Sequence, residues 1–174
     1  ASADGQSVGY IDALFTAISA NCVTGLVVVN TALHWSVFGK IVILSLIQLG
    51  GLGFMTIMAF FMLVLNRQIF LSDRLIIQHA YNQENLGGMV ALIKKIVFYT
   101  FIIEAIGAIL LTLAFYLEKI PLLQATKWGI FHSISAFCNA GFDIIGTDSL
   151  TPYADNFTIN GVIMSLIILG GLGF

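Results

Sequence analysis

Apolar residues occur in long blocks, and a glycine cluster at 50–53 interrupts the longest of them. The blocks 38–65 and 96–117 are long enough to cross a bilayer, which takes roughly 20 residues. The blocks 11–24 and 126–140 are shorter, and apolar runs of about 10–14 residues favour segments that enter a membrane and return. A further block begins at residue 159. The pattern therefore predicts membrane-spanning helices with short re-entrant helices between them.

The short blocks are copies of one another. Phe15–Gly25 and Phe131–Gly141 share six of eleven residues at an offset of 116. A second match follows each copy, because 43–54 and 163–174 agree at ten of twelve positions. Internal repeats decide the architecture of a chain. The repeat predicts an all-α membrane protein built from units of transmembrane helix, re-entrant pore helix with its loop, and transmembrane helix.

The repeat also predicts how the chain is divided. Residues 1–65 form a first unit whose outer helix is missing, and residues 96–174 form a second unit that ends early in its inner helix. Residues 66–95 form a polar connector between them. We expect the sequence to be part of a longer chain.

Charged residues predict the orientation of these units. Four of the seven basic residues, Arg67, Arg74, Lys94 and Lys95, lie in the connector, so the positive-inside rule places it in the cytoplasm. Both short segments then enter from the outer face, in the same orientation. The acidic residues outside the connector would attract cations to that face.

Composition excludes several functions. The chain is 59% hydrophobic and 9% charged, where a soluble domain has about a quarter charged residues. A net charge of −2 gives no basic surface for nucleic acid. Two cysteines make no disulfide framework. Because the sequence has no metal-binding or nucleophile motif, we expect neither an enzyme nor an organic cofactor.

The loop that follows each short helix could bind a cation. Non-helical backbone at membrane depth is tolerated where it lines a wet cavity, and rings of carbonyl oxygens can replace the water around a potassium ion. The glycines Gly25 and Gly141 permit the backbone angles that turn carbonyls inward, and the negative helix ends favour a cation. A helix cap is the alternative role for both glycines.

These stretches resemble the Ktr/Trk/HKT superfamily of potassium transporters, and most of all its bacterial Ktr membrane subunits. The similar segments are DALFTA from Asp12, CVTGLV from Cys22, QLGGLGFMT from Gln48 and AFCNAGFD from Ala136. The resemblance implies a potassium-channel-like fold in which each unit contributes one filter loop. The implied potassium-binding residues are Cys22, Val23, Thr24, Gly25 and Leu26 in the first loop and Cys138, Asn139, Ala140, Gly141 and Phe142 in the second.

The resemblance also implies the ion and the partners. Glycine at position 25 indicates potassium, because plant members with serine there transport sodium; many bacterial members are stimulated by sodium. Four units would surround one pore, so two repeats would lie elsewhere in the parent chain. Homodimers on a cytosolic nucleotide-binding regulatory ring of the KtrA type, in the bacterial inner membrane, are implied as well.

The sequence leaves the roles of two acidic residues open. Glu104 lies in the middle of a predicted span, where an ionisable side chain is either functional or hydrogen-bonded to a neighbouring helix. Asp143 follows the second loop and could attract cations at the pore mouth or cap a turn. A substrate-coupled secondary transporter with broken helices is the alternative function. A membrane-embedded enzyme or assembly subunit is a weaker alternative.

Overall fold

The computed structural model describes residues 8–53 and 89–172. Within these ranges the chain is helical and has no strand. The α-helices are α1 (Tyr10–Asn21), α2 (Thr31–His34), α3 (Val37–Gly51), α4 (Met89–Leu117), α5 (Leu122–Phe137) and α6 (Phe157–Gly171), with a 3-10 helix at Thr151–Tyr153. The predicted helical class is confirmed for this part of the chain.

Helix α4 begins before the predicted span 96–117 and ends with it. Its segment Ile93–Leu117 is, among the described helices, the one long and apolar enough to cross a membrane. Helices α3 and α6 are shorter apolar helices of 15 residues each. The second half of the predicted span 38–65 and most of the predicted connector lie outside the described residues.

The short apolar blocks form helices that are short for a bilayer. Helix α1 has 12 residues and α5 has 16. At about 1.5 Å per residue they measure roughly 18 and 24 Å, against a hydrocarbon core of about 30 Å. Helix α1 packs against α3, α5 packs against α6, and α3 packs against α5. Each short helix therefore contacts the helix that follows it in its own repeat.

The chain divides into two compact units, residues 1–51 with 103–173, and residues 52–102 with Phe174. In the second unit the described residues are Leu52, Gly53 and the first part of α4, where Phe98 and Tyr99 are exposed and their rings lie edge to face. The first unit holds both short helices and one hydrophobic core. Aromatic side chains join its elements, since Phe115 of α4 contacts Trp128 of α5 and Tyr153 at centroid distances of 5.6 and 5.3 Å.

From residue 103 onward, α4 has two faces of opposite character. Glu104, Leu111 and Phe115 are buried at the spacing of one helical stripe, whereas Ile106 and Ile109 are more than half exposed. A soluble helix would have polar residues on its exposed face. An apolar outer face around a stripe that contains a carboxylate is the arrangement that a bilayer favours.

The stretch 27–36 contains the single turn α2. Asn30 explains the turn, because its side-chain oxygen accepts hydrogen bonds from the amides of Ala32 and Leu33 at 2.9 and 3.1 Å. An asparagine in this position satisfies two amides that a helix start leaves unpaired. The same side chain donates to the carbonyl oxygen of Gly146, the equivalent position of the second repeat, at 2.9 Å. The loops that follow the two short helices are thus joined directly.

Candidate functional site

The two short helices end in the same backbone motif. In the first, the amide of Val23 donates to the Ala20 carbonyl and that of Thr24 donates to the Ser19 carbonyl. In the second, the amides of Asn139 and Ala140 donate to the carbonyls of Ala136 and Ser135. This pair of bonds is the Schellman motif, which ends a helix with one left-handed residue. The repeat in sequence is therefore a repeat in local structure.

Left-handed backbone follows at matching positions. Val23 and Asn139 have φ values of 56° and 58°, and two residues later Gly25 and Gly141 have values of 79° and 70°. Glycine adopts this conformation at no steric cost, whereas a β-branched residue does so rarely. Both loops therefore alternate between ordinary and left-handed residues, and neighbouring peptide units in them point in different directions.

The fold brings the two loops together. A Cβ atom built on Gly25 would lie 2.5 Å from the carbonyl oxygen of Ala140 and 3.5 Å from the Cα of Gly141. Such a Cβ has no room. Position 25 therefore requires glycine for two reasons, its positive φ and its close approach to the second loop. A Cβ on Gly141 would meet little, since apart from the adjacent residues its nearest neighbour, the Cα of Gly25, would be 3.8 Å away. Residues 116 positions apart thus form one surface.

The glycine clusters of α3 and α6 hold the short helices in place. A Cβ on Gly50 would overlap the carbonyl oxygen of Asn21, and a Cβ on Gly170 would overlap that of Phe137. Asn21 and Phe137 are the last residues of α1 and α5. Small residues at a helix contact let backbones approach closely. Gly50 and Gly170 therefore allow α3 to pack closely on α1 and α6 to pack closely on α5.

Burial differs between the two loops. Cys138, Ala140 and Phe142 are buried, while Asn139 and Gly141 are exposed. In the first loop Val23 and Gly25 are half-buried, and the remaining three predicted residues, Cys22, Thr24 and Leu26, are exposed. The second loop is also tied to its own helix, because Ser135 Oγ donates to the Phe142 carbonyl oxygen at 2.7 Å. The equivalent hydroxyl, Ser19 Oγ, is buried without a hydrogen-bond partner in the described chain.

Glu104 lies next to the start of the second loop. Its Oε1 accepts a hydrogen bond from Gln48 Nε2 at 3.0 Å and a long contact from Cys138 Sγ at 3.9 Å. Its backbone carbonyl accepts from Ser133 Oγ at 2.7 Å. Sequence reasoning singled out Glu104 but gave no role to Gln48 or Ser133. Gln48 could have been noticed, because it is a polar residue in an apolar block and isoleucine occupies its place in the second repeat.

Asp143 caps a turn of its own loop. Its Oδ1 accepts from the amide of Ile145 at 3.2 Å. It also lines a cavity of about 270 Å³ together with Gly141 and His132. Both roles considered from the sequence therefore remain compatible with its position. Residues 8–53 and 89–172 contain no cluster of three side chains able to hold a metal ion.

The fold and the site define a class of helical membrane protein whose paired loops expose backbone groups. The family model for TrkH, described as "Cation transport protein", matches residues 1–174. The chain therefore belongs to the TrkH family of cation transport proteins, as the resemblance implied. Membership makes it an integral membrane protein of a transporter family, and the relatives are transporters rather than enzymes.

Curated relatives match over nearly the whole chain. The potassium/sodium uptake protein NtpJ of Enterococcus hirae is 43% identical over 99% of the chain, and the Ktr system potassium uptake protein B of Bacillus subtilis is 43% identical over 97%. The Ktr system potassium uptake protein B of Vibrio alginolyticus is 38% identical over 94%. The chain spans only 38, 38 and 35% of these three proteins. It therefore corresponds to little more than a third of each.

Proposed function

We propose that this chain is part of a pore through which potassium ions enter a bacterial cell. The observation that supports this proposal most directly is the contact between the two repeated loops, in which Gly25 packs on Ala140 and lies beside Gly141. Each loop follows the C-terminus of a short helix and has the same alternating backbone. Helix C-termini carry partial negative charge, which favours a cation at the place where two of them converge.

In this proposal the loops form two strands of a selectivity filter. Carbonyl oxygens of residues 22–26 and 138–142 would replace the water shell of the ion. The short helices would be re-entrant pore helices, in agreement with their lengths of 12 and 16 residues. The negative inner membrane potential would drive influx, since each charge gains about 2.3 kcal/mol per 100 mV.

Potassium is the proposed ion for two reasons. Two relatives carry potassium uptake in their names, and a third carries both potassium and sodium. Position 25 is glycine, which keeps a hydroxyl out of the filter. Sodium would then act as a stimulating ion rather than as the main cargo.

Two strands cannot surround an ion, so the proposal includes the rest of a longer chain. Two further repeats would complete the pore, in agreement with the 38% of each of the first two relatives that the chain covers. We further propose a homodimer in the bacterial inner membrane, bound to a cytosolic nucleotide-binding ring. The ring would contact the basic connector at 66–95.

A substrate-coupled secondary transporter is the alternative. It would also use short helices and loops at membrane depth, around a site near the midplane. A carbonyl filter passes potassium and rubidium without any organic substrate, whereas a coupled transporter requires one. The contact of two backbone loops favours the filter, because a potassium filter of the known type is built from backbone carbonyls.

Gly25→Ser tests the filter. Position 25 has left-handed backbone and no room for a Cβ, so serine must displace the Ala140 carbonyl or turn its own peptide. We expect rubidium uptake to persist and sodium uptake to appear in potassium-uptake-deficient bacteria that express the full-length protein. Gly146→Ser is the matched control, because a Cβ there meets nothing within 4 Å. An unchanged rubidium-to-sodium ratio in Gly25→Ser would remove Gly25 from the filter.

Gly25→Asp is the stronger change at the same place. The larger charged side chain would enter the ion path, and we expect uptake of both rubidium and sodium to be abolished. The amount of protein in the membrane, measured by immunoblotting, separates a blocked pore from a protein that fails to insert. Normal rubidium uptake in this variant would contradict the assignment.

A further inference from the structure

Glu104 is the most deeply buried charged side chain of the described residues, with 4% of its surface exposed. Glu104 belongs to α4 and joins it to two other helices. It contacts α3 through Gln48, and it contacts α5 through Ser133 and the cap residue Cys138. These helices come from both repeats. Its second oxygen, Oε2, has no hydrogen-bond partner in the described chain. A buried carboxyl is costly to maintain unless its contacts stabilise the fold or serve a function.

The contact with Cys138 leads to the second loop. Cys138 is the cap of α5, and the left-handed residue Asn139 follows it directly. Moving Cys138 would therefore move the peptide units of Asn139 and Ala140. The Ala140 carbonyl oxygen is the atom that lies closest to the place of a Cβ on Gly25.

The contact with Gln48 leads to the first loop. Gln48 is two residues before Gly50, and Gly50 packs on the carbonyl of Asn21 at the end of α1. Next to it, a Cβ on Gly51 would overlap the Cys138 side chain. Glu104 Oε1 thus contacts a residue close to each loop. Gln48 lies two residues before the glycine that packs on the end of α1, and Cys138 begins the second loop.

We propose that Glu104 is a positioning residue that fixes the two glycine loops relative to each other and thereby sets ion selectivity. The proposal rests on the proposed filter function, but its structural part can be tested separately. The connection depends on Oε1 as a hydrogen-bond acceptor. A glutamine has the same acceptor in the same place, whereas a leucine of similar size has none.

The experiment compares Glu104→Leu, Glu104→Gln and Leu111→Ala in the full-length protein. Leu111 is fully buried on the same helix two turns away and has no contact with either loop through hydrogen bonds. We expect Glu104→Leu to lower the rubidium-to-sodium uptake ratio roughly tenfold, the effect of losing one buried hydrogen bond to a charged group. Glu104→Gln should retain most of the ratio. Leu111→Ala should lower thermal stability and keep the ratio.

A second measurement follows the alkylation of Cys138 by a small maleimide, resolved by peptide mass spectrometry. Cys138 is 8% exposed in the structure. Loss of the Glu104 contact should increase its labelling rate in Glu104→Leu, with little change in Glu104→Gln or Leu111→Ala. This readout needs no transport activity.

Three results would overturn the proposal. An unchanged uptake ratio in Glu104→Leu would show that the residue does not affect the filter. Equal damage in Glu104→Gln and Glu104→Leu would show that the charge acts rather than the hydrogen bond. Unchanged Cys138 labelling in Glu104→Leu would reject the structural connection. If the wild type took up no cation, the proposed function would fail, and the labelling would still decide whether Glu104 holds Cys138.

Discussion

Val23 has left-handed backbone although its side chain is β-branched, a combination that occurs rarely. The equivalent residue of the second loop is Asn139, a residue type that tolerates this conformation. The Schellman bonds of Val23 and Thr24 hold the strained residue in place. Backbone strain of this kind is concentrated at functional sites. The strain at Val23 agrees with a loop whose backbone conformation serves a function at some cost in stability.

Exchanging the two residue types tests this strain. Val23→Asn should raise the free energy of unfolding by about 1 kcal/mol, because asparagine tolerates left-handed backbone at lower cost than valine. Asn139→Val should lower it by at least as much, since the asparagine side chain also donates to the Phe137 and Ile167 carbonyls at 3.4 Å. Thermal unfolding of the purified protein in detergent measures both. A lower stability for Val23→Asn than for wild type would contradict the argument.

At the scale of elements, each short helix is held by the inner helix that follows it. Gly50 and Gly170 occupy equivalent places and contact equivalent carbonyl oxygens. The first glycine of each GGLGF motif therefore has a structural reason, because two backbones meet where a side chain would overlap. The sequence repeat identifies the two glycines as equivalent, but not which carbonyl each of them approaches.

Alanine at these glycines should be damaging. We expect Gly50→Ala and Gly170→Ala each to destabilise the protein by about 1–3 kcal/mol, the usual range for overpacking. Gly161→Ala is the control on α6, since a Cβ there meets nothing within 4 Å. It should be neutral or stabilising by up to about 1 kcal/mol through helix propensity. Equal thermal stability of all three variants would refute the packing argument.

The loop contact of Asn30 can be separated from its capping role. Asn30→Asp keeps the acceptor that caps α2 but removes the donor to the Gly146 carbonyl, whereas Asn30→Ala removes both. We expect a loss of about 1 kcal/mol for Asn30→Asp and a larger loss for Asn30→Ala. Unfolding of the two variants side by side makes the comparison. Equal losses in the two variants would mean that the cap contributes little.

At the scale of the molecule, periodicity and repeats predicted the helical class, the short helices and their equivalence. These features depend on local sequence and on block length, so the sequence could predict them directly. The sequence could not predict the hydrogen bond of Glu104 with Gln48, because it joins residues 56 positions apart. The contact of Gly25 with Ala140 likewise depends on how two repeats pack. Repeat matching identifies equivalent residues but not which of them touch.

The orientation of the units and the assembly remain predictions. Their main support is the basic connector at 66–95, most of which lies outside the described residues. The four-unit pore is a prediction as well, and the share of each relative that the chain covers is compatible with it. Orientation and assembly are properties of the full-length protein. Cation flux through that protein depends on both of them.

Cation flux through the reconstituted full-length protein tests the main claim most directly. Proteoliposomes with a negative interior and no organic substrate would be given labelled rubidium, with the regulatory partner supplied. We predict potential-driven rubidium uptake that excess potassium inhibits and that an equal excess of sodium leaves largely intact. Uptake that appears only when an organic substrate is added, or that potassium and sodium inhibit equally, would contradict a potassium-selective carbonyl filter.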